Sequence, residues 1–147
     1  MFPTALIPIV AGLIGTALML LFLRVTAGVG GPAATLPLAF GLLQRERRDG
    51  NYGIGLCLHL VMGIAFAWGY AAIVRSLDVH GAAIAGLTAA LGTVHGLVVS
   101  MLMLATAEQH PQGEFRANPI RPALWHAVAH IVYGLGVGIV LIVLSPR

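Results

Sequence analysis

Four apolar runs, each about as long as a lipid bilayer is thick, constrain this chain more than any other feature. A helix rises 1.5 Å per residue, so about twenty apolar residues cross roughly 30 Å of hydrocarbon. Runs of that length lie near 5–24, 53–76, 81–106 and 122–144. Composition agrees, because 59% of the 147 residues are hydrophobic and 9% are charged, against about a quarter charged in soluble domains. We predict an all-α integral membrane four-helix bundle in the lipid bilayer, with 1–147 as a single transmembrane domain and the first run retained as a helix.

The arginines predict how the helices are oriented. The formal charge of +3 arises without any lysine, and no basic stripe of the kind that binds nucleic acid is present, so we expect no nucleic-acid partner. Two loops and their flanks are arginine-rich and the opposite side is poor, with Arg24, Arg45, Arg47, Arg48, Arg116 and Arg121 against Arg75 and Arg147. Because positive loops stay in the cytoplasm, both termini are predicted to lie on the non-cytoplasmic side.

The segment 26–43 is apolar but unsuited to a fifth span. Gly28, Gly30, Gly31, Pro32 and Pro37 would interrupt a lipid-facing helix, whose backbone groups have no alternative partners in hydrocarbon. We expect a short interfacial or re-entrant segment after the first helix. A plain basic loop that only fixes orientation is the alternative.

A repeat suggests that the bundle contains two related halves. Residues 59–67 read HLVMGIAFA and residues 130–138 read HIVYGLGVG, so a histidine begins each copy. A weaker match at the same spacing joins 11–15 to 82–86. These matches predict two duplicated helical hairpins related by an axis along the membrane normal. The alternative is chance similarity between helices of narrow composition.

Small residues predict which helix faces meet. Helices pack closely in lipid where Gly, Ala, Ser or Thr recur every fourth residue. We expect such faces to point inward on all four helices: Gly12 and Thr16, then His59, Gly63 and Ala67, then Ala85, Thr88, Gly92 and His95, and finally His130, Gly134 and Gly138.

Four histidines are the candidate site residues. Ionisable groups inside a membrane are costly and usually functional. His59, His95, His126 and His130 all fall in the cytoplasmic half by residue count, so a bundle could gather them as a metal site. Imidazoles suit Cu, Zn or Fe, and an opposed pair suits haem b, for which His59 and His130 are the predicted cofactor ligands.

Other roles for these histidines stay open. They could hydrogen-bond between helices, with Thr88, Thr93 and Ser100 as partners. His126, beside Trp125, could be solvated at the interface, and a proton or ion pathway could use Glu108.

Functional classes follow from these alternatives. No phosphate-binding loop, metalloprotease motif or nucleophile elbow is present, so the sequence favours a role other than catalysis. The first hypothesis is a protein that binds haem or a transition metal through its histidine cluster. The second is an accessory subunit of a larger respiratory or photosynthetic membrane complex. The third is a proton or ion transporter working as a homo-oligomer.

The chain resembles an uncharacterised family of small bacterial proteins with four transmembrane helices. The resemblance rests on 11–16, on His59 with Gly63 and Phe66, on 94–96 and on 130–134. It implies a bacterial inner membrane location and a recurring use of His59, His95 and His130. It implies no activity.

Overall fold

The computed structural model describes residues 5–27, 51–109 and 116–144. In these ranges the chain is all-α, without a strand. A short 3₁₀ turn, Ala107–Gln109, follows the third helix. The four helices are α1 (Ile7–Ala27), α2 (Asn51–Ser76), α3 (Ala82–Ala105) and α4 (Ile120–Leu144).

All four helices are long and apolar enough to cross a membrane, which confirms the predicted spans. The bounds differ from the predicted ones by one to three residues at most ends. α4 begins two residues early, and Pro122 lies in its first turn. Proline is tolerated there because its missing N–H has no helical partner in any case. The predicted segment 26–43 lies outside the described residues from position 28 onward.

The helices form an uneven bundle in which α1 and α4 are central. α4 packs along both α3 and α1, and α2 packs along α1. α4 is the most buried span, with 50% of its apolar window covered, and α2 the least, with 22%. By contrast, α2 meets α3 and α4 at only a few positions. The bundle is therefore closed on three sides and loose between α2 and α3.

Close backbone contacts at glycine confirm the predicted small-residue seams. A Cβ added at Gly12 in α1 would lie 2.6 Å from the Cα of Ile64 in α2. In the second hairpin, a Cβ at Gly134 would meet the Thr88 carbonyl oxygen and lie 3.2 Å from the Cα of Gly92. A residue with a side chain larger than that of glycine does not fit at these positions. The close approach of the two helix backbones supplies the packing that holds helices together in lipid.

The two hairpins resemble each other only locally. Gly63 of α2 lies against Gly12 and Thr16, and Gly134 of α4 lies against Thr88 and Gly92. The weaker repeat between 11–15 and 82–86 is not matched by packing. Gly15 is enclosed by Tyr133 and Val137, whereas no other described element has an atom within 4 Å of a Cβ added at Gly86. Duplication of the hairpins stays a prediction.

The turn between α2 and α3 ends one helix and starts the next in five residues. Val79 N–H donates to the Val74 carbonyl and Asp78 N–H to the Arg75 carbonyl, with Asp78 at φ 52°. This is a Schellman-type end, and Asp is among the residues that tolerate the left-handed region. Gly81, at φ 59° and ψ −141°, then enters α3 through a conformation that favours glycine.

Candidate functional site

A cavity of about 300 Å³ lies on the loose side of the bundle, between α2 and α3. His59 of α2, His95 of α3 and His130 of α4 all line it. Each of the three histidines lies roughly 12–15 Å from the nearer end of its own helix, counted at 1.5 Å per residue along the helix axis. We call this space the histidine cavity. Its remaining lining is Thr16, Met19, Met62, Gly63, Phe66, Val98, Val99, Leu102 and Tyr133.

His130 has a fixed ring orientation. Its Nδ1 lies 2.7 Å from the carbonyl oxygen of His126, one turn earlier in α4. Because a carbonyl only accepts, Nδ1 must carry the hydrogen, and Nε2 of the neutral ring is then an acceptor. Nε2 is thus the nitrogen through which His130 can bind a ligand.

His95 lies among aromatic side chains. Its ring is 3.8 Å from the Phe66 ring, centroid to centroid, at an interplanar angle of 31°. His130 meets it edge to face at 4.6 Å, and Tyr133 lies at 6.2 Å. The Tyr70 hydroxyl is 3.4 Å from Nδ1 of His95, a long contact for a hydrogen bond. The inner wall of the cavity is therefore largely aromatic.

α1 and α4 complete the wall at its closed side. The Tyr133 hydroxyl donates to the Gly63 carbonyl over 2.5 Å and so joins α4 to α2. Thr16 of α1 is 1% exposed. Its Oγ1 has no hydrogen-bond partner among the described residues.

The structure gathers three of the four predicted histidines. His59, His95 and His130 share the cavity, but His126 is not among its lining residues. His126 is fully buried, with Nδ1 2.8 Å from the Pro122 carbonyl oxygen. The alternative of a solvated His126 is therefore wrong.

The described residues contain no group of three or more His, Cys, Asp or Glu side chains arranged to hold a metal ion. A four-histidine metal centre is therefore not formed in this structure. Binding by the pair His59 and His130 stays a prediction.

The predicted hydroxyl partners of the histidines bond to backbone instead. Thr88 donates to the Ile84 carbonyl at 2.9 Å and Thr93 to the Ala89 carbonyl at 2.9 Å. Ser100 donates to the Ala123 carbonyl of α4 at 2.7 Å. Ser100 therefore joins α3 to α4. The described contacts of these histidine rings are with backbone carbonyls and aromatic rings instead.

Sequence reasoning missed Phe66 and Tyr133 as site residues and identified Thr16 only as a packing residue. A signal was available for Tyr133, which follows His130 by three positions and so shares its helix face. Phe66 follows His59 by seven, which is two turns on the same face. Nothing in the sequence alone indicates that the Thr16 hydroxyl is left without a partner.

Comparison of the chain with protein-family models, with curated proteins and with solved structures gives no match.

Proposed function

We propose that this multi-pass membrane protein binds a small, lipid-soluble ligand in the histidine cavity. The observation that carries the proposal is the convergence of three imidazoles, from three different helices, on one otherwise apolar cavity. Binding sites for small molecules are typically apolar pockets with a few polar groups that converge, and volumes start at about 300 Å³. A compact ligand fits this range best.

Interhelical hydrogen bonding explains the histidines less well. His130 and His126 bond carbonyls within their own helix. The contact from the His95 ring to Tyr70 of α2 does cross between helices, but at 3.4 Å it is long for a hydrogen bond. Polar groups buried in apolar surroundings are costly unless they are paired. A ligand that pairs with ring nitrogens of His59, His95 and His130 in the cavity would therefore be favoured.

Occupancy of the cavity can be tested by blocking its mouth. Val98 lines the cavity and is also 60% exposed on the outer surface of α3, so Val98→Trp places a large ring at the opening. Val94, one turn away, is 62% exposed but does not line the cavity, and Val94→Trp is the matched control. Native mass spectrometry of protein released from nanodiscs should show a non-covalent adduct on the wild type and on Val94→Trp. The adduct should be lost from Val98→Trp, and equal adducts on both variants would contradict the proposal.

A metal-bearing cofactor is the second candidate, supported by the Nδ1 bond of His130. Histidines that ligate metals usually donate the other ring nitrogen to a carbonyl or carboxylate, as His130 does to His126. His59 and His130 would be the ligands of haem b or of Cu, Zn or Fe. The modest cavity volume favours a compact ligand over a macrocycle.

Optical spectroscopy and metal analysis distinguish a metal-bearing cofactor from a metal-free ligand. A Soret band, or metal at a fixed stoichiometry, should disappear in His59→Ala and in His130→Ala. It should persist in His80→Ala, because His80 lies in the α2–α3 turn, exposed and next to Asp78. A colourless, metal-free wild-type protein would exclude this candidate.

We also propose a bacterial inner membrane location with both termini on the non-cytoplasmic side; the arginine distribution supports the orientation. Reporter fusions at the α2–α3 turn and after α3 test the orientation, since the turn should lie outside the cytoplasm and the end of α3 inside it; the reverse result would contradict the proposal. The accessory-subunit and transporter hypotheses stay predictions. Co-purification with a larger complex would support the first, and proton or ion flux in proteoliposomes the second.

A further inference from the structure

Thr16 differs from other buried threonines in the described helices. A threonine inside a helix commonly donates to a carbonyl three or four residues earlier. Thr26 does so to Phe22 at 3.0 Å, and Thr88 does so to Ile84 at 2.9 Å. Thr16 is as buried as these residues, yet its Oγ1 has no partner among the described residues, and it lies on the wall of the histidine cavity. This Oγ1 packs against Gly63 of α2 and has almost no accessible surface, so the Thr16 side chain must rotate about χ1 before a ligand in the cavity can reach the hydroxyl.

His130 supplies a complementary group on the facing helix. Because its Nδ1 donates to the His126 carbonyl, Nε2 can accept a hydrogen bond from a ligand hydroxyl. Among the residues that the structure describes, no arginine lines the cavity, and the chain contains no lysine. A neutral oxygen is thus a better match than a carboxylate or phosphate, which would need a cation.

The aromatic lining of the cavity favours a flat ring. Phe66 stacks close to His95, and Tyr133 stands edge-on to the same imidazole. Aromatic rings pack favourably in offset-stacked and edge-to-face arrangements. A planar ring inserted here would meet aromatic neighbours.

The mouth of the cavity opens toward the hydrocarbon. Met62 of α2 and Val98 and Leu102 of α3 each line the cavity and are also exposed on the outer surface. These residues are apolar, and α2 and α3 contact each other at few positions. An apolar tail could leave between the two helices without losing contact with lipid.

We propose that the histidine cavity binds a hydroquinone-type lipid, with one ring hydroxyl donating to Nε2 of His130 and with Thr16, after rotation about χ1, donating from Oγ1 to a ring oxygen. The apolar tail runs out between α2 and α3. This inference rests on the proposed function, because it names the ligand class of the same cavity. It concerns binding alone and assigns no redox step.

The test compares two radiolabelled probes on the full chain in nanodiscs. One is a dimethoxy-methyl-hydroquinone with a decyl tail, kept reduced under argon, and the other is decyl-toluene, which has the ring and tail but no oxygen. Two hydrogen bonds of ordinary strength correspond to at least about tenfold tighter binding of the hydroquinone. Thr16→Val should remove about fivefold or more of that preference and leave decyl-toluene binding unchanged. Thr16→Ser keeps the hydroxyl and should retain the preference.

Two further variants control for structural effects. Thr88→Val alters a buried threonine that does not line the cavity and should leave both affinities unchanged. His130→Gln should lower hydroquinone affinity alone. If the wild type binds both probes equally, the ligand class is wrong while the proposed function stands. If neither probe binds, and Val98→Trp behaves as the wild type does, both proposals are overturned.

Discussion

Gly92 and Gly86 lie six residues apart in α3 and predict opposite responses to the same substitution. A Cβ at Gly92 would meet the carbonyl oxygen of His130, with the Gly134 Cα 3.3 Å away. At Gly86 no atom of another described element lies within 4 Å of the added Cβ. Gly92→Ala therefore forces α3 and α4 apart, whereas Gly86→Ala adds a methyl group to an open surface.

The size of the stability loss in Gly92→Ala depends on which atoms must move to accommodate the new methyl group. The nearest neighbours of a Cβ at Gly92 are backbone atoms, so no side chain can rotate away, and the two helices must separate by about 1 Å to restore ordinary contact. Overpacking of this kind costs typically 1–3 kcal/mol. Replacing glycine by alanine within a helix gains about 0.5–1 kcal/mol at either position. The gain cancels in the comparison, so Gly92→Ala should be about 1–3 kcal/mol less stable than Gly86→Ala.

Equilibrium unfolding in mixed micelles of increasing SDS content, followed by far-UV circular dichroism, measures this difference. Gly134→Ala should lower the free energy of unfolding by a similar amount, because its new methyl group would meet α3 at Thr88 and Gly92, in the same helix contact. The double variant of Gly92 and Gly134 should cost less than the sum, since one separation of the helices accommodates both methyl groups. Equal stability of Gly92→Ala and Gly86→Ala would refute the packing argument.

Three hydroxyl groups give further predictions in the same assay. Thr16→Val should raise the free energy of unfolding by about 1 kcal/mol, because it removes a buried hydroxyl that lacks a partner. Tyr133→Phe should lower it by about 0.6–1.5 kcal/mol through loss of the 2.5 Å bond to the Gly63 carbonyl. Ser100→Ala should lower it by a similar amount, since its 2.7 Å bond to the Ala123 carbonyl joins α3 to α4.

Each of these variants has a matched control. Thr88→Val should not stabilise, because that hydroxyl is bonded within α3. Tyr70→Phe should cost less than Tyr133→Phe, since its contact with His95 is 3.4 Å long. Ser76→Ala removes an exposed bond within α2 and should be close to neutral. A stabilising Thr88→Val, or a Tyr70→Phe as costly as Tyr133→Phe, would contradict the assignments.

The sequence of each segment was sufficient to predict the four spans and the helix faces that meet. The length and apolarity that lipid requires are properties of each segment alone, so 53–76 and 81–106 were predicted to within two residues of α2 and α3. The small residues Gly12, Gly63, Gly92 and Gly134 were expected on inward faces and lie there. Sequence also identified His59, His95 and His130, because a histidine inside an apolar helix is conspicuous.

The grouping of the histidines could not be read from spacing. His126 and His130 are one turn apart in α4, yet only His130 lines the cavity. The His95 ring lies 4.6 Å from the His130 ring, centroid to centroid, whereas His126 does not line the cavity. Such differences depend on the rotation and crossing angle of neighbouring helices, which a single segment does not encode.

The sequence by itself determined that this chain is a bundle of membrane-spanning helices with glycine seams and intramembrane histidines, since hydrocarbon imposes those requirements segment by segment. Only the tertiary structure decided that α1 and α4 are central and that α2 and α3 are loosely packed. Only it showed that the Thr16 hydroxyl has no hydrogen-bond partner within the described ranges and that three imidazoles line one cavity with it. The physical reason is that a cavity is the space between helices. Its size and lining depend on the relative positions of all the helices around it, which no single segment of sequence encodes.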